Sequence, residues 1–248
     1  MKKTILSFYI FLSVSGIAQV SIKDSSIFTP LVGASFGYQF PGGDMVTRFG
    51  NNSSVQLNFD IKSKANITIG LNGSYIFGNN VKEDMFSNIT TPEGYIINRD
   101  GSIADIRLWE RGFTSSITLG RIYTFKKPNP NSGIWFNVGF GFIQHKIRIE
   151  TIGNDVPQLS KEYKKGYDRL TNGFLLSENL GYLYLSNNRL ANFYISLECQ
   201  EGFTQSRRTY DYDKMEPDTK KRLDILYGLR FMWILPLYKK PPQEFYTH

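Results

Sequence analysis

Between residues 53 and 77 the chain reads SSVQLNFDIKSKANITIGLNGSYIF, with apolar side chains on every second position. Val55, Leu57, Phe59 and Ile61 share one parity, and Gln56, Asn58 and Asp60 hold the other. After KSKAN the beat resumes with Ile67, Ile69, Leu71, Gly73, Tyr75 and Phe77 against Thr68, Gly70, Asn72 and Ser74. A period of two sends successive side chains to opposite faces of a β-strand. The open question is which face meets which solvent, since a soluble sheet buries its apolar face and a membrane barrel turns it outward.

The same alternation predicts eight strands, at 30–40, 53–62, 67–78, 112–125, 134–150, 171–186, 193–209 and 223–238. The connections after the second, fourth and sixth are short (SKAN, KKPNPNSG, NNRLAN), whereas 41–52, 79–111, 151–170 and 210–222 are longer. Short turns alternating with long loops are the asymmetry of an outer-membrane barrel, turns in the periplasm and loops outside. A lipocalin-like soluble barrel also has eight strands, but its apolar face lines a cavity. Here that face covers about ten residues per strand, enough to cross a bilayer at a tilt. The opposite face is Gly, Ser, Thr, Asn and Gln, a poor exterior but a suitable narrow interior. In the fifth strand Ile134, Phe136, Val138, Phe140 and Phe142 are expected outward, with Asn137, Gly139 and Gly141 inward. Aromatic residues make up 15% of the chain and gather near strand ends, as in the belts at membrane interfaces. The expectation is an all-β fold, an eight-stranded antiparallel up-and-down transmembrane β-barrel over 28–238.

The stretch MKKTILSFYIFLSVSGIAQV has two lysines, an apolar run from Ile5 to Val14 and small residues before Gln19. It is expected to be a secretory signal peptide over 1–18, because the run is shorter than the roughly 20 residues of a spanning helix. Residues 19–27 then form an N-terminal periplasmic segment and 239–248 a periplasmic tail. Cys199 is the lone cysteine, which rules out an intramolecular disulfide and a CxxC metal pattern. The net charge of +7 points, in an exported chain, to anionic lipid and lipopolysaccharide phosphates rather than to nucleic acid.

The eighth strand, LDILYGLRFMWILPLY, sets Ile225, Tyr227, Leu229, Phe231, Trp233 and Leu235 on one parity. Its Gly228, Phe231 and Trp233 resemble the Gly-x-x-aromatic-x-aromatic signal in the final strand of outer-membrane proteins. In pattern and topology the chain resembles small eight-stranded outer-membrane barrels of the OmpA/OmpX type, with loop lengths similar to those from Bacteroidota. KKPPQEFYTH departs from that pattern by continuing past the strand. The resemblance implies a non-enzymatic barrel, an accessory or scaffold subunit of a secretion or barrel-assembly machine. A stand-alone structural or adhesive barrel and a lipid A-modifying enzyme are the alternatives; a diffusion pore ranks behind them because eight strands enclose no wide channel.

Particular residues follow. Parity puts Asp60, Glu198 and Arg230 inside, and Glu198 and Arg230, on adjacent strands, are expected to form an ion pair that fills the barrel. Glu178 and Arg121 break parity, which a bulge would repair; Arg121 is also near enough to the interface to snorkel. The enzyme alternative rests on His145, flanked on its face by Ile143 and Ile147, with Ser177 as a possible cross-strand partner. No phosphate loop, HExxH or EF-hand is present, and DYDKMEPD (211–218) lacks the glycine turn and bidentate Glu of a Ca²⁺ loop, so neither cofactor nor metal is expected. Lys161, Lys164, Lys165, Arg169, Arg207, Arg208, Lys220, Lys221 and Arg222 form a basic rim or a set of scattered solvated charges. The long loop 79–111 is rich in apolar residues and carries an Asp100-Gly101 turn, so strands three and four are expected to continue as a hairpin. Phe86, Tyr95, Ile97, Ile106 and Trp109 are its candidate contacts with an outer-membrane partner, against simple capping of the barrel mouth. Phe245 and Tyr246 are candidate contacts of the tail.

Overall fold

A computed structural model of the protein describes residues 25–237 apart from 126, 153–155 and 187–189. The signal-peptide stretch and the tail with Phe245 and Tyr246 lie outside the described residues. Eight strands follow one another: β1 (Thr29–Gly43), β2 (Asn52–Lys62), β3 (Ile67–Gly78), β4 (Ile106–Thr124), β5 (Gly133–Thr151), β6 (Thr171–Tyr184), β7 (Phe193–Ser206) and β8 (Lys221–Pro236). Each pairs antiparallel with its neighbour in sequence, and β1 closes on β8. Closure leaves no strand edge unpaired around the belt, the condition for a sheet to stand in hydrocarbon.

The register fixes the barrel's shape. From Phe113, successive partners are Tyr75, Val55, Phe36, Phe231, Ile195, Tyr182 and Ile134, and the circuit returns to β4 at Tyr123. The return is ten residues further along the strand, so the strands tilt by roughly 40°, within the usual range for small barrels.

The apolar face is outward. Leu57 is 71% exposed and Leu197 62%, while Asn58, Asp60, Glu198 and Arg230 are buried. A closed barrel with a dry exterior and a polar interior is a transmembrane barrel of the outer membrane. Leu57→Arg is therefore expected to cost about 2–4 kcal/mol of folding stability in lipid, and the inward Gln56→Ser much less. Equal losses at the two positions in a refolding titration would refute the assignment of faces.

The interior is layered. Met45, Phe49, Ile76, Met85, Ile143, Ile147, Leu175 and Leu226 pack on the long-loop side. Leu31, Ile122, Trp135, Leu183, Tyr194 and Met232 pack at the periplasmic end. There Lys62, fully buried, donates to Ser26 Oγ, Ile27 O and Asn131 Oδ1 at 2.9–3.1 Å, tying residues 26–27 and the β4–β5 turn into the floor.

Three expectations need correction. β4 begins at Ile106 rather than 112; Glu110 and Arg111 still pair with Gly78 and Phe77 of β3, but residues 106–109 pair with β5 alone, Ile106 opposite Thr151 and Trp109 opposite Arg148. Strands three and four accordingly do not continue as a joint hairpin. The Asp100-Gly101 turn instead closes a small separate one, with Gly101 at φ 85° and an isolated Ile97–Ile103 bridge. No bulge rescues Glu178 or Arg121. Arg121 stacks over Tyr123 at 5.5 Å on the outer wall, and Glu178 faces outward between Val138 and Cys199.

Candidate functional site

The middle of the lumen is filled by one ion pair and its hydrogen-bonding shell. Arg230 Nε donates to Glu198 Oε2 at 2.7 Å and Nη2 to Oε1 at 3.0 Å. The register is diagonal: Glu198 lies opposite Gly228, and Arg230 opposite Ser196. Ser35 and Ser54 accept from the guanidinium at 3.1 and 2.9 Å, and Gln39 donates to the carboxylate at 2.9 Å. Gly37 makes room, since a Cβ there would sit 2.9 Å from Glu198 Oε1 and 3.0 Å from Arg230 Nη2. Asp60, inward below this layer, forms no ion pair among the described residues. Beside the pair is a polar space of about 20 Å³ between Asn58, Asp60, Asn137 and Arg230, room for roughly one water.

His145 points into the lumen, as its parity requires, and the structure does not bring it to Ser177. Ser177 lies six residues along β6 from Thr171, the residue opposite His145, or roughly 20 Å away. His145 Nε2 instead meets Asp224 Oδ2 at 2.9 Å, with Thr204 Oγ1 donating to the same oxygen at 2.5 Å. The ring packs edge-on against Phe49 at 5.6 Å, and both ionisable side chains are almost wholly enclosed. A His–Asp pair is an acid–base arrangement in principle. Here the hydroxyl proton goes to the carboxylate, and Phe49 covers the ring against the loops.

Above this layer the four long loops meet in a charged knot. Arg169, its side chain 0% exposed, donates to Glu83 at 2.8 Å and Asp213 at 2.5 Å and lies 3.3 Å from Asp211. Burial works against its charge, but the bond to Asp213 and the field of Glu83 outweigh it and hold the guanidinium above its ordinary pKa. Arg48 lies 3.0 Å from Glu83 and 3.5 Å from Asp218, which also takes Arg222 at 2.6 Å. Three of the four carboxylates of DYDKMEPD, Asp211, Asp213 and Asp218, thus serve arginines. The basic rim is corrected accordingly: Arg169 is interior, Arg208 is bound by Asp168, Arg222 by Asp218, Lys220 by Asp44 and Lys165 by Glu162. Of that set, Lys161, Lys164, Lys221 and Arg207 form no ion pair among the described residues. The hydrogen bond from Lys220, with the Leu223 N–H, lowers the Asp44 pKa.

The β3–β4 loop largely folds back on this dome. Met85 is buried, and Phe86 packs on Tyr167 at 5.7 Å between ring centres. Ile97 and Ile106 are half-buried. Trp109 stands on the β4 wall, its Nε1 bonded to Glu150 at 3.0 Å with Arg111 over its ring at 5.1 Å. Tyr95 and Ile103 remain exposed, at the edge of an apolar hollow of about 220 Å³ lined also by Phe86, Ile96 and Leu108. Periodicity picks out these loop residues but not the hollow, which forms only when the small hairpin folds over β4.

No protein-family model matches the chain, and no curated protein matches it. Among solved structures it is similar to Ail, the attachment invasion locus protein of Yersinia pestis, in complex with the heparin analogue sucrose octasulfate: 9% identity, TM-score 0.43, 83% of this chain and 99% of that one. It is also similar to Neisserial surface protein A, at 7% identity and TM-score 0.39 over 82% of this chain and 96% of that one. The outer membrane protein OprG from Pseudomonas aeruginosa matches at 11% identity and TM-score 0.39 over 87% and 99%.

Proposed function

We propose that this outer-membrane barrel is a non-enzymatic accessory or scaffold subunit of a larger outer-membrane assembly, met through its β3–β4 loop by another integral outer-membrane protein. The observation that carries the reading is the hollow of about 220 Å³ between Tyr95, Ile103 and Leu108, left open after the rest of the loop has packed on the dome. Apolar surface of this kind, on a loop longer than closure requires, is what a partner's side chain covers. The filled lumen supports a role other than conduction. The enclosure of His145 by Phe49 supports binding rather than chemistry on lipids, which lie outside the wall.

The test is native electrophoresis of gently solubilised membranes. The wild type is expected to migrate in an assembly well above its own mass. Tyr95→Ser with Ile103→Ser is expected to migrate as a free barrel that still shows the heat-dependent gel shift of a folded one. A wild type that runs alone, or a variant that stays in the large assembly, would overturn the reading.

A further inference from the structure

We infer that the outer wall of β1–β5 is a binding site for a phosphorylated lipid of the outer leaflet, lipopolysaccharide through a lipid A phosphate. Two independent features of the wall meet there. The first is electrostatic. Above the apolar belt β4 and β5 remain paired, and their outward residues run Phe113 opposite Gln144, Arg111 opposite Lys146 and Trp109 opposite Arg148. Arg148 is bound by Glu150 at 3.0 Å, and Arg107 lies 3.6 Å from Asp105. Arg111 and Lys146 form no ion pair among the described residues. Like charges directly opposite each other in an antiparallel pair are destabilising, so this pair does not serve the fold. Arg111 is nonetheless held in place: Nη1 donates to Gly78 O at 3.3 Å and Glu110 O at 2.7 Å, and the guanidinium lies over Trp109. A fixed Arg111 with the exposed Lys146 beside it, at the height where the belt ends, suits one phosphate.

The second feature is shape. Directly below, small outward residues dish the wall: Gly73 lies opposite Ser115, and Leu57 lies between Gly73 and Ala34. They floor a hollow of about 830 Å³ rimmed by Tyr75 and Phe113. A Cβ added at Gly73 would meet nothing within 4 Å. Most of the belt elsewhere carries large side chains. The medium at this height is hydrocarbon, so the occupant is an acyl chain. Ser115 is four residues down β4 from Arg111, roughly 13 Å, so one lipid places its phosphate on the cations and a chain in the hollow. The long loops put this end of the wall in the outer leaflet, whose phosphorylated lipid is the glycolipid. The site is separate from the loop contact proposed above.

The full-length protein, purified in mild detergent, is titrated with diphosphoryl lipid A, dephosphorylated lipid A, phosphatidylglycerol and inorganic phosphate, and bound molecules are counted by native mass spectrometry. Diphosphoryl lipid A is expected to bind at least about tenfold more tightly than either other lipid, a factor worth about 1.4 kcal/mol. Arg111→Gln with Lys146→Gln should remove that preference. Gly73→Leu, which fills the hollow, should weaken both forms of lipid A alike; the heat-dependent gel shift reports that each variant is folded. Retention of wild-type affinity by either folded variant overturns the two-part site. Binding of inorganic phosphate that competes with the lipid would reduce it to a bare anion site. A dimer that Gly73→Leu converts to monomer without loss of lipid would give the hollow to a second copy of the chain.

Discussion

Glu198→Gln will destabilise the barrel by about 3–5 kcal/mol, the usual cost of breaking a buried pair from one side. Arg230 would keep its two serine acceptors but lose its counter-charge at 2.7 and 3.0 Å. Its surroundings offer little relief, because Gln39 and Gln200, the other groups on the carboxylate, turn donors toward it. Glu198→Gln with Arg230→Met removes both charges and is expected to recover part of the loss. The measurement is a double-mutant cycle from refolding into lipid. Losses that simply add would mean the two side chains do not act on one another.

That pair was within reach of the sequence because both residues sit on the inward parity of neighbouring strands, and alternation alone sets parity. Asp224 was harder. It too is inward, but it meets His145 across the lumen between β8 and β5, which are not neighbours in the sheet. Only the closed barrel brings them together, so a search along adjacent strands for a hydroxyl partner leads to Ser177 instead.

The early start of β4 fails to show in the sequence for a different reason. Alternation does continue through Ile106, Arg107, Leu108, Trp109, Glu110 and Arg111. Its chemistry changes, because above the belt the outward side meets headgroups and water, and cations replace leucines there. A reading tuned to outward apolar residues stops where the membrane stops. The basic loop residues fail in turn because a charge's exposure depends on which acid a distant loop delivers. Arg169 meets Glu83, Asp211 and Asp213 from two other loops, and no local pattern encodes that meeting.

Arg169→Met should open the dome while leaving the barrel closed. The side chain joins the β5–β6 loop to Glu83 of the β3–β4 loop and to Asp211 and Asp213 of the β7–β8 loop, and Glu83 carries the link on to Arg48 of the β1–β2 loop. Arg169 also adopts φ 51°, an uncommon left-handed conformation for a side chain of its size, which the surrounding contacts hold in place. Removing the guanidinium leaves three partly buried carboxylates facing one another, at an expected cost of about 3–5 kcal/mol. The loss falls on the loops, since the strands of the belt keep every hydrogen bond of the closed ladder. Hydrogen exchange and limited proteolysis should therefore speed up around Tyr212–Met215 and in the β3–β4 loop, with the heat-dependent gel shift unchanged. The pH response supplies a second signature. Burial already raises the Asp211 pKa, and Arg169 is the principal group opposing that rise. Without it the folded dome binds protons more readily than the unfolded loops, so its stability falls as pH rises and recovers as pH is lowered. The variant's loops should accordingly be better protected at mildly acidic pH than at neutral pH. Loops as well protected in Arg169→Met as in the wild type at neutral pH would show that the knot does not hold the dome.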